Sequence, residues 1–124
     1  DLVSGWMHKA ENDFRTIGAA IGVEAYDTAC FHAQQAAEKA LKATLIYWEI
    51  DFPFTHNLSK LLLLCSSKDI SFSQLETSVE VLTPFAVELR YDAEFFPALA
   101  DAVDAKERAE VVMSKVRSTI PEIG

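Results

Sequence analysis

The stretch AYDTACFHAQQAAEKALKATLIYWEI, residues 25–50, decides the fold. Its apolar residues Cys30, Ala33, Ala37, Leu41, Leu45 and Trp48 recur at spacings of 3, 4, 4, 4 and 3, which is one face of an α-helix. A long helix from about Ala25 to Ile50 is therefore expected. Asp51-Phe52-Pro53-Phe54-Thr55 breaks the pattern, because Pro53 disfavours helix at the residue before it.

Helical periodicity continues on both sides. Val3, Trp6, Ala10, Phe14, Ile17 and Ile21 line one face of a preceding helix, and Gly22 follows where a left-handed terminus favours glycine. Downstream, Asn57 or Thr55 is placed to cap a short helix from Leu58 to about Ser66. Ser71-Phe72-Ser73-Gln74 and Ser73-Gln74-Leu75-Glu76 both read as capping boxes, so a fourth helix is expected from near residue 73. Its face is Leu75, Val79, Leu82, Ala86 and Leu89, with a kink at Pro84 and Thr83 capping the second half. Tyr91–Ala100, with Pro97, reads as a connection. A last helix, Ala102 to Ile120, carries Ala105, Ala109, Val112 and Val116. No strand-like alternation and no internal repeat is present. The reading is an all-α, single-domain, up-and-down bundle of about five helices over residues 1–124.

Composition agrees with that reading. By surface scaling, a chain of 124 residues folds from about 20,000 Å² of accessible surface to roughly 6,600 Å², enough burial for a core without disulfides or a structural metal. Half of the residues are apolar, and only four Gly and four Pro occur, which excludes collagen-like and disordered classes. Eleven basic against 19 acidic residues give a net charge of −8. Such a chain is a poor sequence-blind binder of long nucleic acid and a poor basic membrane-surface helix. Cys30 and Cys65 sit in apolar helical contexts and read as free thiols of a reducing compartment. No secretory signal or bilayer-length apolar run is visible, so a cytoplasmic location is expected.

Specific catalytic motifs are missing: no phosphate loop, no His-x-x-x-His, no Cys-x-x-Cys and no nucleophile elbow. Cys30-x-His32 offers metal-binding residue types, but two positions apart on a helix they point to different faces. No metal, cofactor or catalytic residue is assigned. The candidates are polar. His32, Gln35, Lys39 and Lys42 form a line on the long helix, and its plain alternative is a solvated face. His56 stands beside Asn57 at the start of the third helix, where a turn histidine is common. Arg90, next to Tyr91, either pairs with nearby acids or recognises phosphate through its guanidinium fork. Phe52, Phe54, Phe95 and Phe96 crowd two connections and are either core plugs or an exposed patch that a partner buries; in a pure interaction protein, Trp6, Phe52, Phe54 and Phe95 form the dimer or partner surface.

Three segments together resemble one family. Phe31-His32-Ala33-Gln34-Gln35-Ala36-Ala37-Glu38-Lys39-Ala40-Leu41-Lys42-Ala43 is similar to the signature second helix of HEPN domains. Phe54-Thr55-His56-Asn57-Leu58 resembles that family's Thr-His-Asp-Leu, and Leu89-Arg90-Tyr91 its Arg-Tyr-Pro. The resemblance covers essentially the whole chain. It implies a helical bundle that dimerises with a second copy and partners a minimal nucleotidyltransferase, often in a toxin–antitoxin pair. It implies a nucleotide-binding module, with Lys39, Lys42, His56, Arg90 and Tyr91 as ligand-binding residues. Some relatives are metal-independent ribonucleases with an Arg followed after four to six residues by His. Here Phe95, Phe96 and Pro97 fall at those positions, so the expectation leans away from an enzyme. A non-standard ribonuclease using Arg90 with His56 or His32, and a pure interaction protein, are the alternatives.

Overall fold

The structure, a computed structural model, describes residues 1–121. Five α-helices follow one another: α1 Leu2–Gly22, α2 Tyr26–Tyr47, α3 Leu58–Lys68, α4 Glu76–Leu82 and α5 Leu99–Thr119. No strand occurs among the described residues. The fold is all-α, as the periodicity predicts.

Alanine sets the geometry around α2. Ala29, Ala33, Ala36, Ala37, Ala40 and Ala43 are all fully buried, and their small side chains let neighbouring backbones approach closely. α2 accordingly packs against α1, α3, α4 and α5 and forms the axis of the bundle. Trp6 of α1 meets Lys42, and Asp13 meets Lys39 and His32, so α1 and α2 run antiparallel. Leu41, Leu45, Leu61, Phe72, Leu82 and Met113 fill the core. The expected face of α5 is also buried, at Ala105, Ala109, Val112 and Val116.

Two helix ends differ from expectation in the same way. Gly22 does not take the left-handed conformation; Glu24 does, with φ 61°. Ala25 N donates to Ala20 O (2.8 Å) and Glu24 N to Ile21 O (3.0 Å), a Schellman closure. α2 ends alike at Tyr47 rather than Ile50: Glu49 has φ 56°, with Ile50 N bonded to Leu45 O and Glu49 N to Ile46 O. A Cβ in this region costs about 1–2 kcal/mol that glycine avoids. Glu24→Gly and Glu49→Gly are each expected to raise the thermal midpoint by about 3–6 °C, read by circular dichroism melts.

The fourth helix is also shorter than expected. Asp69 accepts from Ser71 N (3.0 Å) and Ser71 Oγ (2.6 Å), which fixes a 3₁₀ turn, Ile70–Leu75. The capping-box pairs therefore do not form, and α4 starts only at Glu76. Pro84 ends the helix rather than kinking it, because it has no N–H to continue the ladder. Thr83 Oγ1 donates back to Val79 O (2.8 Å), and the chain passes through a 3₁₀ turn, Thr83–Phe85, into turns up to Tyr91. Asn57 caps α3 as expected, accepting from Ser59 N (2.9 Å) and Lys60 N (3.3 Å).

Both cysteines are buried and unpaired, and burial pushes each thiol up to about 12. Thiolate is the reacting form, so the folded chain is expected to leave a disulfide reagent unconsumed at pH 8. The same assay in denaturant should release two thiols per chain.

Candidate functional site

The site is organised along one side of α2. Asp27 and Thr28, Phe31, Gln34 and Gln35, Glu38 and Lys42 follow at helical spacing. Two segments from elsewhere lie on this side. The turns after α4 lay Arg90 over the Phe31 ring, guanidinium to centroid 3.7 Å. The chain before α3 brings His56 onto Glu38. Phe31 and Glu38 are seven residues apart, so the two contacts are separated by about 10.5 Å along the helix axis.

Burial runs much further round α2 than one apolar stripe. Gln34, Glu38 and Lys42 are all buried, and Gln34 and Lys42 both donate to Glu38. Glu38 Oε1 accepts from Gln34 Nε2 (3.0 Å) and His56 Nδ1 (2.9 Å), and Oε2 from Lys42 Nζ (3.0 Å). Gln34 also donates to His56 O (3.0 Å) and accepts from Gln35 Nε2 (2.7 Å). Burial raises the Glu38 carboxyl, but the hydrogen bonds from Gln34, His56 and Lys42 outweigh it and hold it below the ordinary glutamate value. The ionised carboxylate can only accept, so His56 donates from Nδ1. The His56 side chain is 45% exposed, and its Nε2 has no partner among the described residues.

A second cluster repeats this chemistry on the α1 side. Asp13 accepts from Lys39 Nζ (2.6 Å) and pairs with His32 Nδ1 (2.8 Å). The candidates therefore divide. Lys42 is buried on Glu38, with its ammonium near the Trp6 and Phe54 rings (5.9 and 5.7 Å), and Lys39 is paired with Asp13. The line through His32, Gln35, Lys39 and Lys42 is thus not a solvated face. Lys42 also lies eleven residues from Phe31, about 16.5 Å along α2, and shares no described pocket with Arg90.

Arg90 and Tyr91 do come together, in a pocket of about 300 Å³ that Asp27 and Thr28 complete. Arg90 makes no ion pair among the described residues. The pocket sits at the N-terminus of α2, where Ala25 gives no side-chain cap. His56 lines a neighbouring pocket of about 260 Å³ with Val87 and Glu88, two to three residues before Arg90. Tyr91 is exposed, free to stack. Of the aromatic residues considered for a partner surface, Phe54 and Phe96 are exposed; Trp6 and Phe52 are half-buried, and Phe95 stacks on Phe85 at 5.8 Å. No cluster of three metal-ligating side chains occurs among the described residues.

The sequence matches the HEPN domain family over residues 3–119, nearly its whole length. The chain belongs to that family. Solved structures agree in fold. A crystal structure of TT1696 from Thermus thermophilus superposes with a TM-score of 0.80 at 25% identity, covering 95% of this chain and 98% of that one. ST0689, described as an archaeal HEPN homologue, superposes at 0.77 with 24% identity, covering 94% and 95%. No curated protein matches the chain. Within this HEPN bundle, the string Phe31–Ala43 supplies Phe31 under Arg90, Glu38 under His56, buried Lys42 and half-buried Lys39. No described helix is long and apolar enough to cross a membrane.

Sequence reasoning missed Asp13 and Glu38 as organising carboxylates. A signal for Asp13 was present: Ala10, Asp13, Ile17 and Ala20 share the buried face of α1 at spacings of 3, 4 and 3. A charge on such a face requires a buried partner.

Proposed function

We propose that this HEPN domain is a binding module for a short phosphate-bearing ligand, a nucleotide or an oligonucleotide end, held by Arg90, Tyr91 and His56. The observation that carries this reading is Arg90, free of ion pairs among the described residues, at the uncapped N-terminus of α2. A guanidinium fork beside a helix N-terminus is chemistry suited to phosphate. Exposed Tyr91 offers a face on which a base stacks. In the same reading the domain acts in the cytoplasm as a homodimer and as partner subunit of a nucleotidyltransferase of the toxin–antitoxin kind, as the family resemblance implies. Calorimetric titration with ATP, GTP and a short oligoribonucleotide tests the ligand: saturable heat is expected, lost in Arg90→Ala. Absence of saturable binding to any of the three would remove this reading. Light scattering tests the dimer, and a monomer at micromolar concentration would overturn it.

A second reading is favoured by one observation. His56, oriented through Nδ1 by ionised Glu38 with Nε2 outward, has the arrangement of a general acid–base residue. On this reading the domain cleaves RNA without metal, using Arg90 for the phosphate. Cleavage lost in both Arg90→Ala and His56→Ala, in chelator, supports it; intact RNA with wild-type protein sinks it.

A further inference from the structure

A groove of about 270 Å³ lies between α3 and the segment from Ile70 into α4, and shares no lining residue with the Arg90 or His56 pockets. Its apolar part is Leu62, Leu63 and Ile70. Leu63 is 72% exposed and Ile70 77%, so two large aliphatic side chains flank one cleft in water. Paired exposed aliphatics rimmed by polar groups mark an interaction surface. The charged part is Glu76 and Glu80, four residues apart and therefore on the same face of α4. Neither makes an ion pair among the described residues, and no cation lines the groove. Lys60 and Lys68 of α3 are outside its lining.

We propose that this groove docks an amphipathic helical segment of a partner protein that carries Lys or Arg beside its apolar residues. Like charges at i and i+4 repel, and a cation from outside relieves that repulsion. The lining spans Ser59 to Ser66 on α3, about 10.5 Å, so it matches two turns of a helix with anchors at i and i+3 or i+4. Charge argues against the other occupants. A second copy on the same face would bring four carboxylates together in a chain of net charge −8, and an anionic bilayer would be repelled likewise. The proposal stands independently of the phosphate reading.

The test uses the full ¹⁵N-labelled chain and two short synthetic amphipathic helical peptides with the same leucines, one with Lys and one with Glu at every polar position. The Lys peptide is expected to shift the amides of Leu63, Ser66, Ile70 and Glu80 saturably, and the Glu peptide to leave them still. Glu76→Lys with Glu80→Lys, and separately Leu63→Asp, should each weaken binding about tenfold or more. All three side chains are exposed, so these variants keep the fold, which circular dichroism checks. Equal response to both peptides, shifts centred elsewhere on the acidic surface, or undiminished binding in the charge-reversed variant overturns the proposal. Groove amides that move with protein concentration alone would assign the face to a second copy and overturn it as well.

Discussion

Glu38→Ala is expected to destabilise the fold by about 3–5 kcal/mol, the cost of leaving a buried charge without its counter-ion. Three donors converge on this carboxylate, from Gln34, His56 and Lys42, and Lys42 is itself buried. For a chain of this size the loss corresponds to a fall in melting temperature on the order of 10–20 °C. Lys42→Met added to Glu38→Met should recover most of it, because an apolar pair carries no desolvation penalty. The cycle isolates the coupling between the two positions, and Trp6, whose ring lies 5.9 Å from the Lys42 ammonium, reports it by fluorescence. If the double variant is as unstable as the single one, the ion pair is not what the site requires. The pH dependence has a definite sign. Glu38 is held below its ordinary value of 4.5, so its contribution is present above that pH and fades as pH falls through the lowered value. Glu38→Gln should flatten the acid limb of stability below about pH 4.5 and leave its shape near neutrality unchanged.

That cluster also marks where the sequence stops being legible. Helical periodicity finds α1, α2, α3 and α5 because the apolar residues alone define a face, and Asn57 is recognisable as a cap from its type and place. Periodicity also assigns every polar residue to solvent. Gln34, Glu38 and Lys42 escape that rule because Gln34 and Lys42 each donate to Glu38 across one turn, and a further partner, His56, comes from a distant loop. Nothing local predicts that partner. The same limit applies at the helix ends: Gly22 has the better residue type, but the chain must reverse two residues later, and Glu24 accepts the left-handed conformation instead. Arg90 could be singled out by residue type, whereas its seat on Phe31 depends on α4 ending at Pro84 and on the turns that follow.

Substitutions of opposite sign at the Arg90 pocket are expected to move phosphate affinity in opposite directions. Arg90→Ala removes charge-assisted hydrogen bonds worth about 1.5–3 kcal/mol, a loss of roughly 10- to 150-fold in affinity for a nucleotide. Arg90→Lys keeps the charge but not the planar fork that stacks on Phe31, so it should recover only part of that loss. Asp27 lines the same pocket and repels an anion there. Asp27→Asn should therefore tighten binding, by about fivefold if the repulsion is that of two charges roughly 4 Å apart in water, about 1 kcal/mol. Tyr91→Ala separates base from phosphate: it weakens a nucleotide by the stacking contribution, about 1–3 kcal/mol, and leaves inorganic phosphate unaffected. Raising salt should shrink the effects at Arg90 and Asp27 and spare that of Tyr91, since screening acts on charge and not on stacking. An Asp27→Asn chain that binds less tightly, or an Arg90→Ala chain that binds as before, would show that the anion does not sit at the N-terminus of α2. Among the described residues, another opening on this side of the helix is the one beside His56, which Val87 and Glu88 also line. Binding that survives in Arg90→Ala and is lost in His56→Ala would place the ligand there instead.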